Sequence, residues 1–191
     1  CLGEWVVPGQ RGCEVPLPEP FVNTYYYIKG IDAALEFADI ADDELPSRKE
    51  LLERREESMR AIREAYYDPS TGSFCNGVNG ADAFALDLGL GDGRLFPNLV
   101  QKYEREGVLD TGICGTPLLL GILFEHGRGD LALRLMTAPN GPSFEGMRKA
   151  GATTLWEYWE GEQSHSHPMF GASVRLLFEY ILGVRQEKGG A

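Results

Sequence analysis

Apolar positions recur at three- and four-residue intervals along most of the chain, the spacing of one face of an α-helix. After the proline-punctuated stretch Pro16-Leu17-Pro18-Glu19-Pro20, the stripe Tyr27, Ile31, Leu35 and Ala38 predicts a first helix. Ser47 with Glu50 three residues later forms a capping box that announces a second. Its apolar face is Leu51, Ser58, Met59, Ile62 and Tyr66, and the pairs Glu50–Arg54 and Glu56–Arg60 lie on the wet side. Asp68-Pro69-Ser70-Thr71-Gly72 reads as a turn, because Pro presets its own backbone angle and Gly accepts a positive one. Helical spacing returns over 79–90 and 95–105. Thr116-Pro117 opens another helix in the favoured cap-then-proline order, running to His126 and stopped by Gly127. Residues 130–138 supply its partner, Asn140-Gly141-Pro142 breaks the chain, and a last helix spans 168–182, ending at Gly183. No stretch alternates with period two for long enough to predict a strand. Roughly eight helices on short Gly- and Pro-marked links imply antiparallel pairs packed side by side, an all-α fold. A plain helical array is the other arrangement open to this pattern, although no fixed-period repeat supports it.

Length and composition narrow the picture modestly. A chain of 191 residues with 43% hydrophobic, 10% aromatic and 25% charged content can bury a core and does not resemble a disordered polypeptide. The balance of 18 basic against 29 acidic residues leaves −11, which argues against a nucleic-acid partner, because phosphate binding needs clustered Lys and Arg. No segment has the roughly 18 consecutive apolar residues of a membrane span. The four cysteines, Cys1, Cys13, Cys75 and Cys114, show no metal-type spacing and read as incidental thiols. The opening Cys1-Leu2-Gly3 has no Met and no leader pattern, so the chain reads as a piece of a longer polypeptide.

Two stretches are richer in chemistry than packing requires. The first, residues 151–161, sets Glu157 and Glu160 among Trp156, Tyr158 and Trp159. Aromatic faces stack on the apolar faces of sugar rings while acids bind hydroxyls or move protons, yet aromatics beside an acid serve a core more often than a binding surface. The second, Ser164-His165-Ser166-His167-Pro168-Met169-Phe170-Gly171, delivers two imidazoles just before a helix. The His-x-His spacing could hold a metal, but no third ligand lies at a helpful spacing, so hydrogen bonding or capping is the better reading and no metal or cofactor is invoked. A Gly-x-Ser-x-Gly elbow is absent, and the glycines at 89, 91 and 93 precede no Lys-Ser/Thr pair that would cradle a phosphate.

The string Gly-Ala-Thr-Thr-Leu-Trp-Glu at 151–157, with Trp159 and then Ser-His-Ser-His-Pro-Met-Phe-Gly at 164–171, resembles the bacterial α-L-rhamnosidases of glycoside hydrolase family 78. Gly3-Glu4-Trp5, the run Val22-Asn23-Thr24-Tyr25-Tyr26-Tyr27, residues 74–88 and the block at 111–117 follow in the family's order, so the resemblance covers almost the whole chain. It implies an (α/α)6 barrel of the six-hairpin glycosidase type, incomplete here, with only the later helices present and residues 1–191 forming one partial catalytic domain. It also implies an inverting hydrolysis that releases L-rhamnose from glycosides or polysaccharides, with a carbohydrate as partner. Inversion requires two carboxyls roughly 6.5–9.5 Å apart, so that a water fits between the base and the sugar.

By motif position Glu157 is the general base, His167 a sugar contact and Trp5 part of the pocket wall, with Trp156 and Trp159 as stacking surfaces. Glu4 stands where the family usually has Asp, one methylene shorter, which weakens the case for Glu4 as a sugar contact. The family's acid-bearing run, of Asp-Cys-Pro-x-Arg-Asp-Glu-Arg type, has no counterpart here, so the general acid is expected outside this chain. Two other readings stay open at the level of sequence: another helical-barrel glycosidase, and a non-catalytic helical sugar-binding module. The rhamnosidase reading places Glu157, Trp156 or Trp159, His167 and Trp5 around one concave mouth.

Overall fold

The computed structural model describes residues 3–11, 14–41 and 48–185. The structure is 60% helical and 2% strand, as the helical spacing requires. Its elements are α1 (Glu19–Ala41), α2 (Arg48–Tyr66), the strands β1 (Tyr67–Asp68) and β2 (Ser73–Phe74), α3 (Ala81–Asp87), α4 (Leu95–Glu106), α5 (Gly115–Glu125), α6 (Gly129–Met136), α7 (Phe144–Lys149) and, within a last helical segment over 168–181, α8 (Val174–Leu176). Consecutive helices pair: α1 with α2, α3 with α4, α5 with α6. The first members of the pairs also pack on one another, with α3 against α5, and α5 against the last segment. Phe84 of α3 meets Phe21 and Tyr25 of α1 at ring separations of 6.1 and 5.0 Å. This is an inner row of α1, α3, α5 and the last segment, backed by an outer row of α2, α4 and α6.

Burial follows the rows, and the sequence shows why. In α3, Ala81 through Ala85 are all buried, and in α5 so are Gly115, Thr116 and Leu119 through Phe124. Helices apolar on every side must be covered on every side. The outer helices α4 and α6 bury single stripes, Leu95, Leu99 and Tyr103 in one and Leu131, Ala132, Leu135 and Met136 in the other. One core cluster lies between α1, α2 and α3, and a second between α4, α5, α6 and the 156–159 segment; Leu86, Cys114 and Leu118 touch both. Uncovered apolar side chains collect on the first and last inner elements, among them Phe37 and Ile40 of α1 and Phe178, Ile181 and Leu182 at the far end.

Several details differ from the sequence reading. The buried side of α1 is set by Phe21, Val22, Tyr25, Ile28, Ile31, Leu35 and Ala38, leaving Tyr27 exposed. On α2 only Ile62 is fully buried, and Ser47, its expected cap, lies outside the described residues, whereas the Glu50–Arg54 pair forms at 2.7 Å. The turn at 68–72 is closed by β1 and β2, a hairpin two residues long on each side and hence too short to show alternation. Asp68 organises that turn by accepting from the backbone N–H of Ser70 at 2.8 Å. Residues 75–80, whose last two positions were expected to open the helix over 79–90, form a tight loop with Cys75, Asn76, Gly77, Asn79 and Gly80 all at positive φ. The short α7, capped by Ser143, whose hydroxyl accepts from Gly146 N–H at 2.8 Å, had no periodicity to announce it.

Truncating Phe84, fully buried at the junction of α1 and α3, removes the aromatic contacts that join two inner helices. Phe84→Ala should cost about 3–5 kcal/mol, read from urea unfolding.

Candidate active site

Four connecting segments precede the four inner elements: 3–11 before α1, 75–80 before α3, 109–114 before α5 and 150–167 before the last segment. The candidate residues all lie in these segments, so the pairing of the helices gathers them at one end of the inner row. The 109–114 segment is where the others attach. Asn79 donates from its backbone N–H to Asp110 Oδ2 at 3.0 Å and from its side-chain amide to the Asp110 carbonyl at 2.6 Å. The Trp159 indole N–H donates to the Thr111 carbonyl at 2.9 Å, and Ile113 N–H to the Trp5 carbonyl at 3.1 Å. Asp110 is held in turn by Lys102 and by the Tyr103 hydroxyl, each at 2.5 Å.

Glu157 sits where two stretches of the 150–167 segment hydrogen-bond to each other. Glu157 N–H donates to the Ser164 carbonyl at 2.9 Å, His167 N–H to the Leu155 carbonyl at 2.8 Å, and the Thr154 hydroxyl to the His165 carbonyl. The turn between them needs Gly161, at φ +84°, because a Cβ there would stand 2.5 Å from the Trp156 ring. The Glu157 side chain retains 17% of its exposure, with Oε2 3.4 Å from the Ser164 N–H nitrogen and 3.8 Å from His167 Nδ1. The structure therefore brings together Glu157 and His167, ten residues apart in sequence. The two imidazoles have separate jobs: His165 stacks on Trp156 at 4.7 Å with Nε2 2.7 Å from the Gly161 carbonyl, while His167 Nε2 lies 2.9 Å from Met169 Sδ. Among the described residues no group of three or more His, Cys, Asp or Glu could hold a metal ion. Nor is any helix of those residues long and apolar enough to cross a membrane.

The other expected contacts are placed differently. Trp156 and Trp159 are 7% and 5% exposed. Trp156 has His165 on its ring, and Trp159 packs against Phe170 at 4.2 Å and Phe144 at 5.6 Å while also lining a hollow with Pro139, Pro142 and Lys149. They support the Glu157 loop from below. Trp5 is half-buried beside the same core, fixed through its backbone to Ile113. Glu157, His167 and Trp5 do not line that hollow beside Trp159.

Glu4 is the clearest correction. Expected among the sugar contacts, it is fully buried, and both carboxylate oxygens are taken by backbone. Oε1 accepts from Trp5 and Cys114 N–H at 3.0 Å each, and Oε2 from Gly115 N–H at 2.7 Å. It thus caps α5, whose first residues Gly115 and Thr116 are buried. Thr116, the expected local cap, instead pairs its hydroxyl with that of Thr111 at 2.7 Å. Close approach explains two glycines nearby: a Cβ on Gly112 would stand 1.8 Å from the Trp5 carbonyl oxygen, and one on Gly115 2.8 Å from Glu4 Oε2. The free thiols of Cys75 and Cys114 are pushed up by burial, to about 12 and about 11, which keeps them unreactive.

Burial pushes the Glu4 carboxyl up from 4.5 to about 7; the three backbone amides pull the other way and Asp110 adds to the rise. The folded chain then keeps a proton on Glu4 that the unfolded chain has already released. The stability from this group is full below pH 4.5 and is lost as pH rises through about 7. Glu4→Gln has no such proton, so its urea-unfolding free energy should decline less than the parent's between those pH values, by on the order of 3 kcal/mol.

Residues 1–181 match the model of the bacterial α-L-rhamnosidase six-hairpin glycosidase domain. An α-L-rhamnosidase from Alteromonas sp. (strain LOR) is 38% identical over 93 residues, 43% of this chain and 10% of that protein. One from Streptomyces avermitilis is 25% identical over 194 residues, 91% of this chain and 18% of that protein. The structure of the α-L-rhamnosidase from Dictyoglumus thermophilum superimposes with a TM-score of 0.84 at 24% identity, covering 100% of this chain and 22% of that one. The chain thus spans a fifth or less of the length of these two curated relatives. With the model matched from the first residue to the last inner helix, the chain belongs to the bacterial α-L-rhamnosidase six-hairpin glycosidase family.

Proposed function

We propose that this chain forms the general-base side of an inverting α-L-rhamnosidase site, working on terminal L-rhamnose of glycosides or polysaccharides. The observation that carries the proposal is the setting of Glu157. Its carboxylate keeps partial solvent access, lies beside the Ser164 backbone N–H and the His167 imidazole, and is carried on a loop braced by two buried tryptophans. A base must be fixed in place yet reachable by a water, and this arrangement supplies both.

In the proposed reaction Glu157 takes a proton from a water as that water attacks the anomeric carbon, while a second carboxyl, contributed by another part of the polypeptide, protonates the departing oxygen. The Ser164 N–H steadies the Glu157 oxygen nearest it. His167, 28% exposed at its side chain, is the sugar-contacting group, and half-buried Trp5 forms part of the wall. Glu160 and Glu162 are engaged elsewhere, accepting from Gly9 N–H at 3.1 Å and pairing with Arg11 at 3.5 Å, which leaves Glu157 as the acid of this loop free to act.

The test uses the complete polypeptide that carries this domain and an aryl α-L-rhamnoside, with other aryl glycosides as controls. Glu157→Gln should lower turnover on the order of 10²–10⁴-fold. Rhamnose binding by calorimetry should stay within about tenfold, since an amide still hydrogen-bonds water or a hydroxyl. Turnover within about threefold of the parent, well short of a general base's contribution, would remove Glu157 from the role and turn attention to Glu160 and Glu162. The 191-residue chain alone should show no turnover, because it supplies one of two carboxyls.

A further inference from the structure

Segment 3–11 is fastened at both ends to different parts of the site. At one end Glu4 joins it to the first turn of α5 through Cys114 and Gly115, and Trp5 joins it to Ile113. At the other, Gly9 N–H donates to Glu160 Oε1 at 3.1 Å and Arg11 lies 3.5 Å from Glu162, both in the turn that follows Glu157. The third side of the triangle is direct, from the Trp159 indole to the Thr111 carbonyl. Three segments distant in sequence are thus tied pairwise, and Glu4 stands at the buried corner.

We infer that Glu4 is a positioning residue for the loop that carries Glu157. A helix end needs only an acceptor, and a serine or threonine next to it in sequence normally provides one. Here the acceptor comes from a residue 111 positions away, and its Oε1 also takes the N–H of Trp5. The cap of α5 and the path of segment 3–11 are therefore one contact. The exposed fastenings at Gly9 and Arg11 are individually weak, since surface ion pairs contribute little. They hold the 157–162 turn only while the buried corner keeps segment 3–11 in register. The glycines at 112 and 115 are part of the same device, because a methyl group at either would strike Glu4 or the Trp5 carbonyl. Only the importance of that loop for turnover rests on the proposed function; its anchoring does not.

Hydrogen exchange of the chain itself, followed by mass spectrometry, tests the idea without any assay of activity. Above pH 7, where the parent's Glu4 is ionised, Glu4→Gln loses an acceptor for either Cys114 or Gly115, and Gly115→Ala keeps Glu4 but presses a methyl group against it. Both should speed exchange at 112–116 and also, by about tenfold or more, across 157–167, while α2 stays as protected as in the parent. Exchange that rises at 112–116 alone would make Glu4 a local cap and overturn the inference. If Glu4→Gln does not fold, the Gly115→Ala result decides by the same criterion. In the complete polypeptide the kinetic sign of mispositioning is kcat reduced by about tenfold or more with KM within about threefold. A lowered kcat with unchanged exchange at 157–167 would likewise overturn it, whatever the substrate proves to be.

Discussion

The structure depends on one constraint: the first residues of α5, Gly115 and Thr116, are buried, so the amides there must find acceptors inside the protein. An unsatisfied buried N–H costs about 1–3 kcal/mol, and more than one is at stake here. Glu4 meets that need, and in doing so draws segment 3–11 across the end of the inner row. The same stretch of backbone that leads into α5 then receives Trp159, Asn79 and the Trp5 carbonyl. The site end of the molecule is built outward from this hub. Burial of the carboxyl is itself costly, as its upward shift to about 7 records. The contact trades a well-solvated acid for a continuous hydrogen-bonded frame.

How much of this could be read in the sequence depended on the range of the interaction involved. Helices were legible wherever a local apolar stripe decided them: α4 and α6 begin and end within two residues of the spacing that predicts them. α3 also begins within two residues of its expected start, but the tight loop before it was not legible, because Cys75, Asn76 and Asn79 adopt positive φ, a conformation that their side chains alone do not announce. The end of α5 at Gly127 was legible, since a left-handed glycine terminating a helix is a local device. Its capping was not, because the acceptor comes from Glu4. Thr116 looked like a local cap and is instead buried against Thr111.

The site divided along the same line. The pairing of Glu157 with His167 follows from a short turn, and the family motif pointed to both residues. The tryptophans were harder, because an aromatic beside an acid looks the same whether it faces a sugar or a core. Only packing shows that Trp156 lies under His165 and that Trp159 lies against Phe170. The attachment role of Asp110, Thr111 and Ile113 carried no signal in the sequence, since all three act through backbone atoms that every residue possesses, Asp110 through its side chain as well.

The reach of the Glu4 contact has a consequence for how the chain acquires its shape. Its two partners are separated by 111 positions, so the contact closes a long loop and belongs to the slow, non-local class of folding events. During synthesis Glu4 leaves the ribosome well before Gly115 exists, and hairpins of neighbouring helices can form in the interval. The first turn of α5 stays open to water until the beginning of the chain returns to it. The corner on which the site's geometry rests therefore cannot close before residue 115 has emerged, and nascent chains halted short of it have nothing to lock.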